Sequence, residues 1–421
     1  MHELIRLAWR YLWAQPLTAA LNLLLLSLGL AAISFVLLVS EQIEAGVRRD
    51  LAGIDLVVGA KGSPMQIMLS GVFHLDVPTG NIPLSTLKAL RSQPLVARAV
   101  PLSLGDSLRG YRIVGTETSY IDLYKASLDQ GQLWQAPLQA VLGAEVAERT
   151  GLKLGDPFAG SHGLGEQGDA HEGANYTVTG ILKPTGTVLD RLVLTDLASV
   201  WQLHEAHHGP GNQAELAHGQ ESGHEHEAES GAEAQALEAQ RELTLLLISY
   251  RSPLAAISLP RWVNAQPGLQ AAAPALETAR LLRMVGAGTE VLQGFAVVLL
   301  LAAALSVWVA LLNAVRARQA DLAMMRMLGA PPWRVAVLIG MESLILAAMA
   351  CVIGLALGHG LCEALGQLLA DRQSLRLTGA WTSPWELSLP LLAGALAALA
   401  AAWPAWRAYR LDVSELLQAP R

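Results

Sequence analysis

At 421 residues, with 52% apolar and only 15% charged side chains, the chain is too poor in charge for an ordinary soluble protein of its size. A net charge of −7 without a basic stripe argues against a nucleic-acid partner, and a total of two cysteines, Cys351 and Cys362, leaves the rest of the chain without disulfides. The apolar excess belongs to membrane spans.

In chain order, residues 1–16 carry Arg6 and Arg10 and precede Leu17–Val39, 23 residues without a charge, which is long enough to cross about 30 Å of hydrocarbon. This run is too long for a signal-peptide core and has no clear small-residue cleavage site, so it reads as an uncleaved anchor. The following "SEQIEAGVRRDLAG" (40–53) keeps helical spacing and extends the span beyond the bilayer.

From 51 to 200 the pattern changes. "IDLVVGA", "YRIVGT", "QAVLGAEVA", "YTVTGILK" and "RLVLTDL" are short runs rich in Val and Ile, separated by glycine turns, and "ELTLLLISYRS" resumes a strand at 242. "GAEVAERTGLKLGD" (143–156) reads as a short helix, a glycine turn and a Gly-Asp turn into the next strand. The region is an α+β domain. Its "VVGAKGSPMQ" stretch suggests a phosphate loop, but such a loop needs Lys directly after its second Gly and before Ser or Thr. None of the five lysines satisfies that, so any ATP use has to come from a separate subunit.

"TDLASVWQLHEAHHGPG" offers Asp196 as an N-cap, an apolar face through Leu197, Val200, Trp201 and Leu203, and Gly209-Pro210 as a stop. It contains His204-Glu205-x-x-His208, the zinc-protease signature, which on a helix would set two imidazoles on one face with Glu205 as base. The same stretch opens a tract that holds His204, His207, His208, His218, His224 and His226, with eight Glu and no Lys or Arg over 201–240. In such a composition the signature arises by chance, and no second catalytic segment follows. A metal-binding loop, with Zn²⁺ as the ion best suited to imidazole and carboxylate, and a merely solvated acidic insertion are the two main readings, with a metalloprotease a remote third.

Beyond the domain, "ALETARLLRMVGAGTEVL" (275–292) has helical spacing and leads into Gly294–Val315, again uncharged. Val335 to about Gly358 is a third span with one acid, Glu342, and Leu387–Trp403, interrupted by Pro390, is a shorter fourth. Arg6 and Arg10, then Arg316, Arg318, Arg326 and Arg334, then Arg407 and Arg410 flank the spans on what must be the inner side. The layout expected is a cytoplasmic N-terminus (1–16), spans at 17–39, 291–315, 335–358 and 387–403, an extracytoplasmic domain with stalk helices (40–290) carrying the His/Glu-rich insertion (204–240), a cytoplasmic loop (316–334), an outer loop (359–386) and a cytoplasmic tail (404–421). Within the loop, Gln319–Leu328 reads as an amphipathic surface helix, with Met324, Met325 and Met327 for adaptable contacts. Glu342 falls about 10 Å into its span, where an acid is expensive unless paired or wet.

One span, a large α+β domain, three closely spaced spans and the loop "RARQADLAMMRMLGAPPWRV" together resemble an ABC-transporter permease of the FtsX/MacB/LolC type, over nearly the whole chain. The family's loop pattern of Arg, an acid, an apolar pair, Arg and Leu-Gly-Ala is met by Arg318, Asp321, Arg326, Leu328, Gly329 and Ala330, with Asp where Glu is usual. "VLGAEVAERTGLKLGD", Glu342 and the closing "PAWRAYRLDVSELLQ" are supporting matches. The resemblance implies a MacB-like periplasmic domain, an ATP-binding ABC ATPase partner docking on that loop, a second permease chain, and residence in a bacterial inner membrane with both termini inside. It implies mechanotransmission, serving export or extraction, with no catalysis by this chain, and the His/Glu tract tilts the reading toward metal-linked transport, zinc above all. A non-transporting FtsX-like regulator of an extracytoplasmic partner is the alternative, and the His/Glu tract departs from the family as an addition.

Overall fold

Among the described residues, four helices are long and apolar enough to cross a bilayer, and the α+β domain lies between the first and second in the chain. The computed structural model describes residues 2–162, 170–208, 241–370, 377–380 and 383–410, and falls into a helical unit (1–45 and 283–421) and an α+β unit (46–282).

The helical unit starts with α1 (His2–Leu12), followed after three residues by α2 (Pro16–Asp50), whose last residues belong to the α+β unit. At 1.5 Å per residue the 35 residues of α2 span about 52 Å, far beyond the hydrocarbon thickness. The anchor and the expected stalk segment are therefore one continuous helix.

In the α+β unit come β1 (Leu56–Ala60), α3 (Pro64–Gly71), β2 (Ile82–Pro83), α4 (Ser85–Arg91), β3 (Val96–Leu108), β4 (Tyr111–Thr116), α5 (Ser119–Leu123), β5 (Leu128–Gly131), β6 (Gln139–Leu142), α6 (Ala144–Thr150), β7 (Pro157–His162), β8 (Ala170–Leu182), β9 (Val193–Asp196) and α7 (Leu197–His208). After the tract follow β10 (Glu242–Leu243), β11 (Leu245–Tyr250), α8 (Ala255–Asn264) and β12 (Leu269–Ala272). One mixed sheet runs in the order β12-β1-β11-β3-β4-β9-β6-β8-β5, with β7 pairing β3 and β8, while β10 and β2 form a separate pair.

Period-two alternation explains how both faces of this sheet are covered. Val57, Leu245 and Leu247 enter one core with Ile67 and Met68 of α3, whereas Leu56, Val58, Leu246 and Ile248 enter the other with Leu87 of α4 and Leu259 of α8. The centre of the sheet was not legible in the sequence. β3 contains Pro101, which cannot donate to a ladder and so speaks against a central strand. The Pro101 carbonyl instead accepts from Thr116 Oγ1 at 2.8 Å, and the strand remains buried.

The stretch read as helix, turn and turn is just that: Gly151 (φ 70°) ends α6 in the left-handed conformation and Gly155 (φ 87°) turns the chain into β7. "GAKGSP" is likewise structural. Ser63 caps α3 by accepting from Gln66 N, and Pro64 stands at its first position, where a missing N–H costs nothing.

The helical unit resumes with α9 (Pro274–Ala317), α10 (Gln319–Met327), α11 (Pro332–Ala370) and α12 (Ser388–Tyr409). Two expectations need correction. Residues 359–370, read as outer loop, continue α11, because Cys362 and Leu365 keep the helical period and pack with Leu38 and Phe35 of α2. Pro390 does not interrupt the fourth span; it lies in the first turn of α12, where its absent donor has no partner to lose.

Small residues set the helix contacts. A Cβ on Gly354 would lie 2.8 Å from Leu30 Cβ and 2.9 Å from the Ser27 carbonyl, and one on Gly358 2.8 Å from Ser34 Cβ. Glycines four apart on α11 thus let its backbone approach α2 closely, the packing that replaces the hydrophobic effect where no water is present.

Candidate functional site

Inside the helical unit, the residues flagged in the loop and in the third span meet. Arg318 sits at the junction of α9 and α10, where the chain leaves one helix and starts the next at Gln319. Its Nη1 donates to Glu342 Oε1 of α11 at 3.0 Å, and its Nη2 donates to the Tyr11 carbonyl of α1 at 2.5 Å. The guanidinium lies 4.4 Å from the Tyr11 ring centroid. One side chain therefore ties three segments together.

Burial decides what this contact is worth. The side chains of Arg318 and Glu342 are 14% and 6% exposed, so neither ion keeps its hydration. Attraction in that setting is strong, but it roughly offsets desolvation; the pair specifies an arrangement more than it stabilises one. The Tyr11 hydroxyl, in turn, is pushed above the ordinary tyrosine range by burial first and by the charge of Asp321 second. A cavity of about 40 Å³ opens beside the pair, lined by Gln15, Asn22, Ser343 and the three residues of the cluster. One helical layer deeper, Ser306 Oγ donates to Asn22 Oδ1 at 2.6 Å and joins α9 to α2.

α10 splits its residues between two environments. Leu322 and Ala323 are buried and Met325 is partly buried against the helical core, whereas Met324, Met327 and Leu328 are exposed by 56%, 56% and 84%. Asp321 is exposed and Arg326 half-buried. Gly329, at φ 96°, makes the left-handed turn that ends the helix, and Ala330 N then donates to the Met325 carbonyl at 3.0 Å. Leu328, Gly329 and Ala330 thus form a tight return into α11, with Leu328 outside it. The sequence singled out Arg318 and Glu342 separately and missed Tyr11, which no motif marks.

At the far ends of the same helices lies a second polar cluster, also unmarked in the sequence. Gln42 of α2 holds Thr378 from both sides, its Nε2 donating to the Thr378 carbonyl at 3.0 Å and its Oε1 accepting from Thr378 N at 2.8 Å. His359 Nε2 lies 2.8 Å from Glu386 Oε1 and His359 Nδ1 2.6 Å from the Gly379 carbonyl, while Ser383 donates to Glu41 at 2.8 Å. These contacts fasten the α11–α12 connection to α2.

The backbone of the H-E-x-x-H segment is helical, inside α7, and Ala198 N donates to Asp196 Oδ1 at 2.8 Å as the cap expectation required. The side chains of His204, His207 and His208, and His218, His224 and His226 altogether, lie outside the described residues. Among the described residues no group of three metal-ligating side chains occurs.

A membrane protein of four spans with one large α+β domain between the first two is the class that this fold defines. Comparison with known proteins adds the family. A model described as FtsX-like permease C-terminal matches residues 294–413, and one described as MacB-like periplasmic core domain matches residues 19–242. The chain belongs to the FtsX/MacB type of ABC-transporter permease. Among solved structures it is similar to the periplasmic region of MacB from Actinobacillus actinomycetemcomitans, at 12% identity and a TM-score of 0.33, covering 56% of this chain and 95% of that one. The extracellular domain of the noncanonic ABC-type transporter YknZ from Gram-positive bacteria is matched at 12% identity and a TM-score of 0.30, over 52% of this chain and 98% of that one. No curated protein sequence matches.

Proposed function

We propose that this permease converts the closure of a separate ABC ATPase into movement of its α+β domain, with the arginine-rich helix ends in the cytoplasm and the domain outside. The observation that carries the reading is the buried Arg318–Glu342 pair. It fixes the start of α10, whose Met324, Met327 and Leu328 are exposed, to the third span and to α1. A force applied to α10 is then passed through a charge contact too deeply placed to slide. The continuous helices α2 and α9 give that force a path along the molecule. Arg318, Asp321, Arg326, Leu328, Gly329 and Ala330 are the coupling residues in this reading, and Glu342 is their anchor. A second permease chain completes the unit.

Cargo handling is assigned to the outside, and the His/Glu-rich tract inclines it toward divalent metal, zinc above all, as imidazole and carboxylate are ligands for that ion. The test of coupling is copurification with the ATPase and its stimulated turnover. Asp321→Arg combined with Arg326→Glu leaves the chain in the membrane but removes stimulation, by tenfold or more on the order expected for a lost interface hot spot. Unchanged stimulation in that variant refutes the assignment.

A further inference from the structure

Helix α1 is too short to span a membrane and yet presents two different apolar faces. Ala8 is fully buried, and Leu4, Leu7 and Tyr11 on the same side are half-buried, so this face packs on the protein and chiefly on α11. The second stripe, Ile5, Trp9 and Trp13 at spacings of four, is 47%, 46% and 43% exposed, and the two indoles meet edge to face at 6.0 Å. Arg6 and Arg10, also four apart and exposed, flank it.

An isoleucine and two tryptophans in one row are a poor surface to turn toward water, whereas tryptophan beside arginine is what the headgroup level of a bilayer selects. The level is marked twice more. At the start of α11, Trp333 is 53% exposed with the Arg334 guanidinium 5.7 Å from its ring, and at the end of α12, Trp406 is 44% exposed with Arg410 at 4.2 Å. The opposite ends show the contrary sign: Trp385, 67% exposed, stands beside Glu386. Only three residues separate α1 from Pro16 and the first span, which holds α1 at the membrane surface.

We propose that α1 is a binding site for anionic phospholipid, lying in the cytoplasmic interface with Ile5, Trp9 and Trp13 at the acyl boundary and Arg6 and Arg10 on headgroup phosphates. The site rests on the spans and their orientation and not on the coupling role of α10. It does give that role a support. Tyr11, which holds Arg318 by carbonyl and ring, belongs to the same helix, so a helix seated on the leaflet is a fixed abutment for the coupling contact.

The full chain, spin-labelled at Ile5→Cys, is placed in nanodiscs of phosphatidylcholine alone or mixed with phosphatidylglycerol, and collision with oxygen and with a nickel chelate is compared; Cys351 and Cys362 are buried and stay unlabelled. With phosphatidylglycerol the label becomes oxygen-accessible and nickel-shielded, while a label at the exposed Glu3→Cys stays nickel-accessible. Arg6→Gln and Arg10→Gln each lower the copurifying phosphatidylglycerol about fivefold, from the roughly 1 kcal/mol that one arginine contributes at an anionic surface, and leave thermal stability unchanged. Equal shielding in both lipids overturns the proposal, and so does shielding that appears only when the ATPase subunit is added, which assigns the stripe to protein. Loss of lipid with ATPase stimulation intact sinks only the abutment; loss of stimulation with lipid binding intact sinks only the coupling reading.

Discussion

Arg318 and Glu342 show how a charged pair is tolerated in a helical membrane unit: each is the other's substitute for water, so single and double replacements must differ sharply. Glu342→Ala takes the carboxylate from a guanidinium that is 14% exposed, leaving it the Tyr11 carbonyl and ring, and is expected to cost about 3 kcal/mol, read as a lower unfolding midpoint in mild detergent titrated with dodecyl sulfate. Arg318→Met with Glu342→Met removes both charges at similar volume and should return close to the parent. A double variant as unstable as the single one refutes this account. His74 poses the complementary problem in the α+β unit. It is 8% exposed, its Nε2 lies 3.2 Å from Tyr120 Oη, and burial, followed by the charges of Arg112 and Arg191, holds its pKa well below 6.5. The unfolded chain therefore binds a proton that the native one refuses. The contribution of His74 is complete above about pH 6.5 and is lost as pH falls below that value, at up to about 1.4 kcal/mol per pH unit. His74→Asn keeps a residue that tolerates the observed φ of 55° and should flatten the stability loss between pH 7.5 and 5.5, followed by thermal melting of the full chain. An unaltered pH slope excludes His74 as its source.

Among whole elements, the glycines of α11 carry the packing argument. Gly354→Val must push the helix away from the Ser27 carbonyl and Leu30, an overpacking worth about 2 kcal/mol, whereas Gly340 on the same helix has open space around its Cβ position and Gly340→Ala should be neutral or slightly stabilising. Equal melting points for the two variants would refute a tight α2–α11 contact. The elements also show where sequence reading succeeds. Uncharged runs, the Val- and Ile-rich strands and the short helix α10 are local patterns of period 2 or 3.6, and each was legible because its cause lies within a few neighbouring residues. β3 was not legible, because Pro101 is accommodated by pairing with β11, about 145 residues further along the chain, as well as with its neighbour β4. The same holds at the candidate site. Arg318 and Glu342 are 24 residues apart and Tyr11 is 307 from Arg318, so no periodicity links them; only the return at Gly329 and the packing of α1 bring them together. Gln42 and Thr378, 336 apart, escaped for the same reason.

On the scale of the whole molecule, the described chain breaks off for the His/Glu-rich tract at the end of α7 and resumes at Arg241 before β10, which pairs with β2 apart from the large sheet. Both junctions are anchored independently of it: Asp196 caps the residues that open α7, and Trp201 Nε1 donates to the Glu242 carbonyl at 2.8 Å. If the tract serves metal handling, the chain should bind Zn²⁺ with moderate affinity, because ordering a Gly- and Ala-rich segment around the ion costs conformational entropy that the ligands must first overcome. Imidazole binds metal only when neutral, so affinity should fall as pH drops through about 6.5, where protons compete. Replacing His204, His207, His208, His218, His224 and His226 together by Ser should abolish binding, measured by calorimetry at pH 7.5, while metal-free melting stays nearly unchanged, as expected for a polar tract of imidazoles and carboxylates with little apolar surface to bury. Absence of binding by the parent chain at pH 7.5 removes the metal reading and leaves a solvated insertion. A peptidase activity that disappears in Glu205→Gln while zinc stays bound would instead make the tract a catalytic site, with Glu205 as the base that its position after His204 implies.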